Sequence, residues 1–257
     1  MLGESLDELN TSIEFLEMDC AADYQRVPFP IKIQRGKLSY KENMLNGAGL
    51  SGTVGSSVFS KTSCNVQWEK GLKVDIPDGR LNLDLEELYP WISTFDDLKE
   101  GLADVKEVTG SMTLSTFTLT GPDDIDGLSE KWQMSATGEV DTVIINTTQL
   151  PATLHRAAGK IQVTPNKLLF KNLNAQLMDA QFDLTGTLQG DISQPDRVDL
   201  SLSGDMGDKA IQYLTQSGYL PAAYAVHAPV KFANTDVSWQ SADDFLFKGK
   251  LFFPENV

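Results

Sequence analysis

Residues 180–188, AQFDLTGTL, decide the fold class. Phe182, Leu184, Gly186 and Leu188 occupy every second position, and polar residues fill the positions between them. Because successive side chains of a β-strand point to opposite faces, this period of two predicts a strand with one apolar face. Strands that are covered on both faces form continuous apolar runs, so the alternation favours an antiparallel sheet.

The same alternation recurs along most of the chain. It is found in CNVQW at 64–68, LKVDI at 72–76, WQMSATGEV at 132–140 and RVDLSLSG at 197–204. The polar positions hold mainly Ser, Thr, Asn and Gln, which suit a moderately wetted sheet surface. We therefore predict a mainly β fold, a curved or rolled antiparallel sheet built from repeated hairpins.

Helical spacing interrupts this pattern in three regions, so we expect about three short amphipathic helices. Apolar residues three or four positions apart predict a helix over 2–18. Asp84 followed by Glu87 forms a capping-box pattern, and Pro90 divides that region into two short helices that end at Gly110. A third helical region begins at a capping Asp208 and ends at Gly218.

These elements suggest a simple organisation. We expect an N-terminal helical segment at 1–28, followed by a continuous β-rich array at 29–257. Helices near 84–108 and 208–217 interrupt the array, which is truncated at its C-terminus. The sequence is expected to be part of a longer protein, and long strand edges predict edge-to-edge strand pairing with neighbouring segments.

Two segments of the chain align without a gap. PIKIQRGKLSY at 30–40 matches PVKFANTDVSW at 229–239, and both are interpreted as strand, turn and strand. A looser match begins at Lys160. The similarity indicates related hairpin units, although strand–turn–strand sequences also converge on such patterns by chance.

Composition excludes several classes of protein. The 257 residues include 36 acidic and 21 basic side chains, a net charge of −15, which disfavours a nucleic-acid partner. Apolar residues make up 41% of the chain, enough for a folded core. No window approaches the roughly 18 consecutive apolar residues of a membrane-spanning helix. Cys20 and Cys64 can either pair or remain as two free thiols.

Two motifs suggest a binding site for a dinucleotide or for calcium, but the residues around them do not support either site. GAGLSG at 47–52 matches a dinucleotide-binding pattern, but a strand-like segment follows it, so we interpret it as a bend or bulge. The acidic run at 123–127 suggests a calcium-binding loop. With Gly127 at the sixth position of such a loop, however, Pro122 would occupy the first position and Gln133 the last, where carboxylate ligands are needed. A solvated turn is favoured there, and an irregular calcium site using three aspartates remains the alternative. These are Asp123, Asp124 and Asp126.

Catalytic residues are not evident either. His155 and His227 are the only histidines, and neither has a second metal-ligand candidate nearby in sequence. A triad assembled from distant positions remains open, because such sites are recognised by geometry rather than by order. We expect no enzyme activity, no cofactor and no metal.

A set of segments nevertheless resembles the AsmA-like proteins of the bacterial envelope. It comprises PFPIKIQRGKLSY, GLSGTVGSSVF, GRLNLDLEELYPWI, GSMTLSTFTLTGP, LMDAQFDLTGTLQG and YLPAAYAVHAPVKFANTDVSWQ, which together span about residues 28–253. The resemblance implies a periplasmic segment of a protein held in the inner membrane by an anchor that this sequence does not contain. It also implies an open sheet with an apolar concave side, and a role in lipid movement or outer-membrane maintenance.

The alternating strands supply candidates for the lining of a groove that binds phospholipid or another acyl-chain ligand. These candidates are Phe170, Leu177, Phe182, Leu184, Leu188, Val198, Leu200 and Leu202. Two alternatives stay open at this point. The same residues can fill a closed sandwich, barrel or helix-covered core, and the chain can be an extracellular binding or scaffold module for protein or glycan.

Overall fold

The chain is mainly β. A computed structural model describes residues 11–15, 20–24, 27–41, 43–68, 71–94, 99, 102–121, 133–190, 195–220, 226–241 and 244–253. In chain order the strands are β1 (Thr11–Phe15), β2 (Cys20–Tyr24), β3 (Val27–Lys41), β4 (Met44–Val54), β5 (Ser57–Gln67), β6 (Lys73–Asp84), β7 (Val105–Thr120), β8 (Gln133–Thr147), β9 (Leu154–Thr164), β10 (Lys167–Leu177), β11 (Ala180–Gly190), β12 (Pro195–Met206), β13 (Val230–Ser241) and β14 (Asp244–Phe252). The helices with described bounds are α1 (Leu85–Ile92) and α2 (Asp208–Gln216).

The fourteen strands of the described ranges belong to one antiparallel sheet. From β3 to β14 each strand pairs with the next one in the chain. β1 pairs with the second half of β3 and β2 with the first half, so the two behave as one interrupted edge strand. Within the described ranges the order runs from this edge to β14 without closing. The prediction of a mainly β, open antiparallel sheet of repeated hairpins is confirmed.

The chain divides into two compact units. The first unit comprises Met1–Asp97, Ser111–Gly138 and Gln162–Pro165, and the second comprises Leu98–Gly110, Glu139–Ile161 and Asn166–Val257. Along the sequence, the same succession of elements occurs twice. Four strands, β3–β6, precede α1 and two follow it, just as β9–β12 precede α2 and two strands follow.

The two segments that align in sequence are single long strands. Residues 30–40 lie within β3, and 230–239 lie within β13, so the expected turn in each of them is wrong. The interruption is a change of backbone conformation inside the strand. Gly36 has φ 125° and Asn234 has φ 49°, and the pairing register shifts at both places.

At six described positions inside strands, a residue with positive φ is followed directly by a buried side chain. The pairs are Gly49–Leu50, Lys61–Thr62, Thr142–Val143, Arg156–Ala157, Asn172–Leu173 and Asn234–Thr235. In the first unit, glycines of the neighbouring strands cover two of the buried residues. A Cβ on Gly36 would lie 2.7 Å from Leu50 Cα, and one on Gly79 would lie 2.7 Å from Thr62 Cα. Only glycine fits such a close approach of two backbones.

Two of the predicted helices require correction. Within the helix expected over 2–18, residues Thr11–Phe15 form β1, while 1–10 and 16–18 lie outside the described residues. Thr11, Ile13 and Phe15 also alternate with polar residues, and such β-branched and aromatic side chains favour a strand that pairs with β3.

The second helix expected after Pro90 is wrong from Val105 onward, where β7 begins. Gly110, which was expected to end that helix, has φ 105° and lies inside β7 against Val143. A glycine that ends a helix and a glycine at a bulge share a need for positive φ, and sequence spacing does not separate them. Residues 95–98, 100 and 101 lie outside the described residues.

Candidate functional site

The eight predicted lining residues lie on three neighbouring strands, β10, β11 and β12, of the second unit. Residues directly opposite each other on paired strands share a face of the sheet. Leu184 of β11 lies opposite Leu202 of β12, and Leu188 lies opposite Val198. Because alternate residues of a strand share a face, Phe182 and Leu200 belong to the same side.

Strand β10 completes this surface. Phe170 lies opposite Gly186, which itself lies opposite Leu200, so the three strands contribute to one row. Leu177 lies two residues after Ala175, which is opposite Phe182. The structure therefore brings all eight predicted residues together on one face of the second unit, which we call the apolar face.

Several members of this face were not predicted from the sequence. They are Leu168, Leu173 and Ala175 of β10 and Phe232, Val237 and Trp239 of β13. Val237 lies opposite Leu200 and Trp239 opposite Val198, so the apolar face continues into a fourth strand. The alternation of apolar residues in VKFANTDVSW was a usable signal, but the bulge at Asn234 shifts its phase halfway along β13.

Each of the eight residues is half-buried, with part of its side chain reachable by solvent. Full burial is restricted to a few neighbours, such as Leu173 and Ala175. Every described strand belongs to the same sheet. The apolar side chains of this face therefore keep an accessible surface.

The opposite face of the same strands is polar. Asn172, Asp183, Thr185, Ser201 and Ser203 line a shallow depression of about 400 Å³ there. The bulge at Asn172 shapes it, and the backbone N–H of Asn172 donates a hydrogen bond to Thr185 Oγ1 at 3.2 Å. Hydroxyl groups dominate, with a single carboxylate, so the two faces of these strands differ sharply in chemistry.

Helix α2 is fixed at one end of β10, β11 and β12. The carboxylate of Asp179, in the β10–β11 turn, accepts hydrogen bonds from the backbone N–H groups of Lys209 at 2.8 Å and Ala210 at 2.9 Å. The N-cap position is Gly207, which supplies no side-chain cap. The expected capping role of Asp208 is therefore wrong, and a residue about 30 positions earlier performs it.

In the first unit, α1 begins as predicted. Asp84 is its N-cap and accepts the backbone N–H groups of Glu86 and Glu87. The side chain of Glu87 does not complete a capping box. Its Oε2 accepts the N–H of Ser56, in the β4–β5 turn, at 2.7 Å. A carboxylate thus joins a helix to a hairpin turn in each unit.

The first unit also carries an apolar face of its own. Leu45, Val66, Val74 and Leu119 lie opposite one another in turn across β4, β5, β6 and β7. The same strands place Phe59, Leu81 and Leu114 in a second row. At the margin, the rings of Tyr40 and Trp68 stack with their centroids 5.7 Å apart, and Trp68 is exposed.

The cysteines are not placed to pair. Cys20 lies on β2 and Cys64 on β5, three strand spacings apart, or about 14 Å. A disulfide needs Cα atoms within about 7 Å. Burial raises the pKa of the Cys64 thiol, although a backbone hydrogen bond with Gly47 acts in the opposite direction.

Three sequence features remain to be placed: the glycine motif, the acidic run and the two histidines. GAGLSG lies inside β4 with a bulge at Gly49, as predicted, and no helix follows it directly. The acidic run at 123–127 lies outside the described residues. His155 is exposed on β9, and His227 is exposed just before β13.

Two further features are absent from the described ranges. No group of three or more His, Cys, Asp or Glu side chains there is arranged to hold a metal ion. No helix in this part of the chain combines the length and apolar character needed to cross a membrane. Comparisons of the chain with protein-family models, with curated proteins and with solved structures find no match.

Proposed function

We propose that the chain is a non-enzymatic, periplasmic segment of an AsmA-like envelope protein and that its apolar face binds the acyl chains of phospholipid. The observation that carries the proposal is that eight spaced apolar residues, chosen from sequence alone, share one face and stay half-buried. A face that served only as a core would be sealed by a second layer.

The energetics of acyl chains favour such a surface. Each methylene transferred from water to an apolar environment gains about 0.8 kcal/mol, so a full chain gains on the order of 10 kcal/mol. The gain is non-directional, so a chain can move from one row of side chains to the next without breaking specific bonds. Contact with Leu184, Leu200 and their neighbours supplies the apolar environment, while the opposite face stays hydrated.

The dimensions of the face fit an extended chain. Leu251 of β14 lies opposite Phe232, so the face extends to a fifth strand. The five neighbouring strands, β10 to β14, span four spacings of about 4.8 Å, or about 19 Å. This is comparable to the length of an extended acyl chain. Because the face is continuous from Phe170 to Trp239, it can support lipid movement or outer-membrane maintenance in the parent protein.

A second candidate function is a binding or scaffold module for protein or glycan. The observation in its favour is the stacked pair of Tyr40 and Trp68, with Trp68 44% exposed. Aromatic rings at a surface bind sugars and peptides through their faces. This candidate involves the first unit and requires no lipid.

Lipid content tests the proposal. The purified chain is incubated with vesicles of phosphatidylethanolamine and phosphatidylglycerol, separated from them, and extracted with solvent to quantify bound phospholipid. Leu184→Ser and Leu200→Ser should reduce bound lipid several-fold, while Thr185→Ala and Ser201→Ala on the opposite face should retain it. Circular dichroism checks that each variant is folded. A folded wild-type chain that carries no lipid, or Leu variants that carry as much as the wild type, would overturn the proposal.

A further inference from the structure

Helix α2 lies at one end of the apolar face. It belongs to the connection between β12 and β13, whose adjoining ends place Met206 opposite Val230. Because alternate residues of a strand share a face, Met206 and Val230 lie on the same side of the sheet as Leu202. The helix contacts β12, and its Ala210 and Ile211 are buried.

Burial on the two sides of the sheet shows which side α2 covers. Asp205 and Lys231 lie opposite each other, next to Met206 and Val230 in the chain, and their side chains point to the other face. Both are exposed, whereas Val230 is only 1% exposed. The cover at this end therefore lies on the apolar side, where the buried residues of α2 find apolar partners.

The other end of the apolar face is open. There Trp239 of β13 lies opposite Val198 of β12, and Trp239 is 36% exposed while Val198 is half-buried. Along β12 and β13 the face thus has a closed end at α2 and an open end at Trp239.

A phospholipid also has two unlike ends. Its headgroup is charged, and burial of a charge without partners is strongly unfavourable. Its acyl ends gain free energy when they leave water. Tryptophan is enriched where apolar and aqueous regions meet, because its ring is apolar and its N–H is polar. The open end, with Trp239, suits the headgroup, and the closed end suits the acyl ends.

The length of the face along the strands fits one acyl chain. From Val198 to Leu202, β12 advances four residues of about 3.4 Å each, or about 14 Å. The hydrocarbon core of a bilayer is about 30 Å thick over two leaflets, so one chain occupies about 15 Å. An acyl chain that lies along β12 thus extends from the open end to the region covered by α2.

We propose that phospholipid occupies the apolar face in one orientation, with its acyl ends toward α2 and its headgroup at the Trp239 end. Helix α2 acts as a stop that closes one end of the face, so lipid enters and leaves at the other end. This inference rests on the proposed function, because it takes the ligand to be phospholipid.

Two photoactivatable phospholipids test the orientation. One phosphatidylethanolamine carries a diazirine at the end of an acyl chain, and the other carries it in the headgroup. Each is bound to the full chain and irradiated, and peptide mass spectrometry locates the labelled residues. The acyl probe should label Leu202 and Phe232 at least threefold more than Val198 and Trp239, and the headgroup probe should show the reverse preference.

A variant of α2 tests the role of the helix as a stop. Ile211→Ser loosens the cover and makes it polar, so the preference of the headgroup probe for the open end should fall at least twofold. Tyr213→Ala, on the exposed side of the same helix, is the matched control and should keep the wild-type preference. Circular dichroism checks that both variants are folded.

The outcomes separate this inference from the proposed function. Lipid that labels both ends equally with each probe, or with the opposite preference, would overturn the orientation and leave the proposed function in place. An unchanged preference in folded Ile211→Ser would show that α2 is not the stop. A folded chain that neither probe labels would overturn the proposed function, and the orientation with it.

Discussion

The Asp179 carboxylate caps helix α2 through the backbone N–H of Ala210, at 2.9 Å. In the first unit the roles are exchanged, because Glu87 of α1 supplies the carboxylate and Ser56 of the β4–β5 turn supplies the N–H. In each unit a series of four strands, β3–β6 or β9–β12, precedes the helix. Both contacts join that helix to the turn between the second and third strands of its series. Each helix is therefore joined to a hairpin end through a carboxylate.

Removing the Asp179 carboxylate should weaken this attachment. Asp179→Ala leaves the N–H groups of Lys209 and Ala210 without their acceptor, and loss of an N-terminal cap costs about 0.5–2 kcal/mol. Asp208→Ala, at the position that the sequence had suggested as the cap, should cost less. Chemical denaturation of both variants measures the difference, and an equal loss for the two would contradict the assignment.

The same contact makes stability depend on pH. Burial raises the pKa of Asp179, but the N–H groups of Lys209 and Ala210 outweigh it, so the pKa is lowered overall. A lowered pKa in the folded state adds stability above the unfolded value of about 4, and this stability is lost as the pH falls through the folded value. The wild type should therefore lose stability in acid relative to Asp179→Asn.

Thermal unfolding of the two proteins between neutral pH and about pH 2 measures this dependence. The advantage of the wild type over Asp179→Asn should shrink as the carboxyl group becomes protonated. An advantage that stays constant over the whole range would show that the carboxylate does not cap the helix.

The bulges predict different tolerance to substitution at two glycines. In Gly36→Ala the new Cβ would lie 2.7 Å from Leu50 Cα at an unfavourable φ of 125°, which should cost about 2–5 kcal/mol. Gly49→Ala has φ 61° but meets no atom within 4 Å, so backbone strain alone should cost about 1 kcal/mol. Urea unfolding ranks the two, and the reverse order would contradict the close approach of β3 and β4.

The cysteines should remain free thiols. Cys20 lies on β2 and Cys64 on β5. After exposure to an oxidant, intact mass spectrometry without reducing agent should therefore find the monomer at the mass of the form with two free thiols. In a Cys20→Ser variant, the raised pKa of Cys64 should slow its reaction with a disulfide reagent at pH about 8 relative to the urea-unfolded chain. Rapid reaction of the folded variant would contradict the burial of this thiol.

The fold class followed from the sequence because a period of two is a direct consequence of strand geometry. AQFDLTGTL and RVDLSLSG alternate cleanly and form β11 and β12 over these residues. The helical spacing was less decisive. Thr11–Phe15 fits both a helical period and a period of two, and its pairing with β3 makes it a strand. Long-range contacts decide such segments, and a local pattern does not contain them.

Other features left no local signal. Lys61, Thr142 and Arg156 adopt positive φ although their residue types disfavour it, so these bulges were not foreseen. Capping of α2 by Asp179 depends on the meeting of a turn and a helix about 30 residues apart. The apolar face was found in part, since Leu173 and Val237 lie beside bulges that interrupt the alternation.

Photo-crosslinking tests the central claim most directly. A benzoylphenylalanine is placed at Leu200, on the apolar face, or at its neighbour Ser201, on the polar face, and each protein is irradiated with phospholipid vesicles. The account predicts that intact mass spectrometry finds a phospholipid adduct at position 200 and little or none at position 201. Equal labelling at the two positions, or no adduct at position 200 in folded protein, would contradict it.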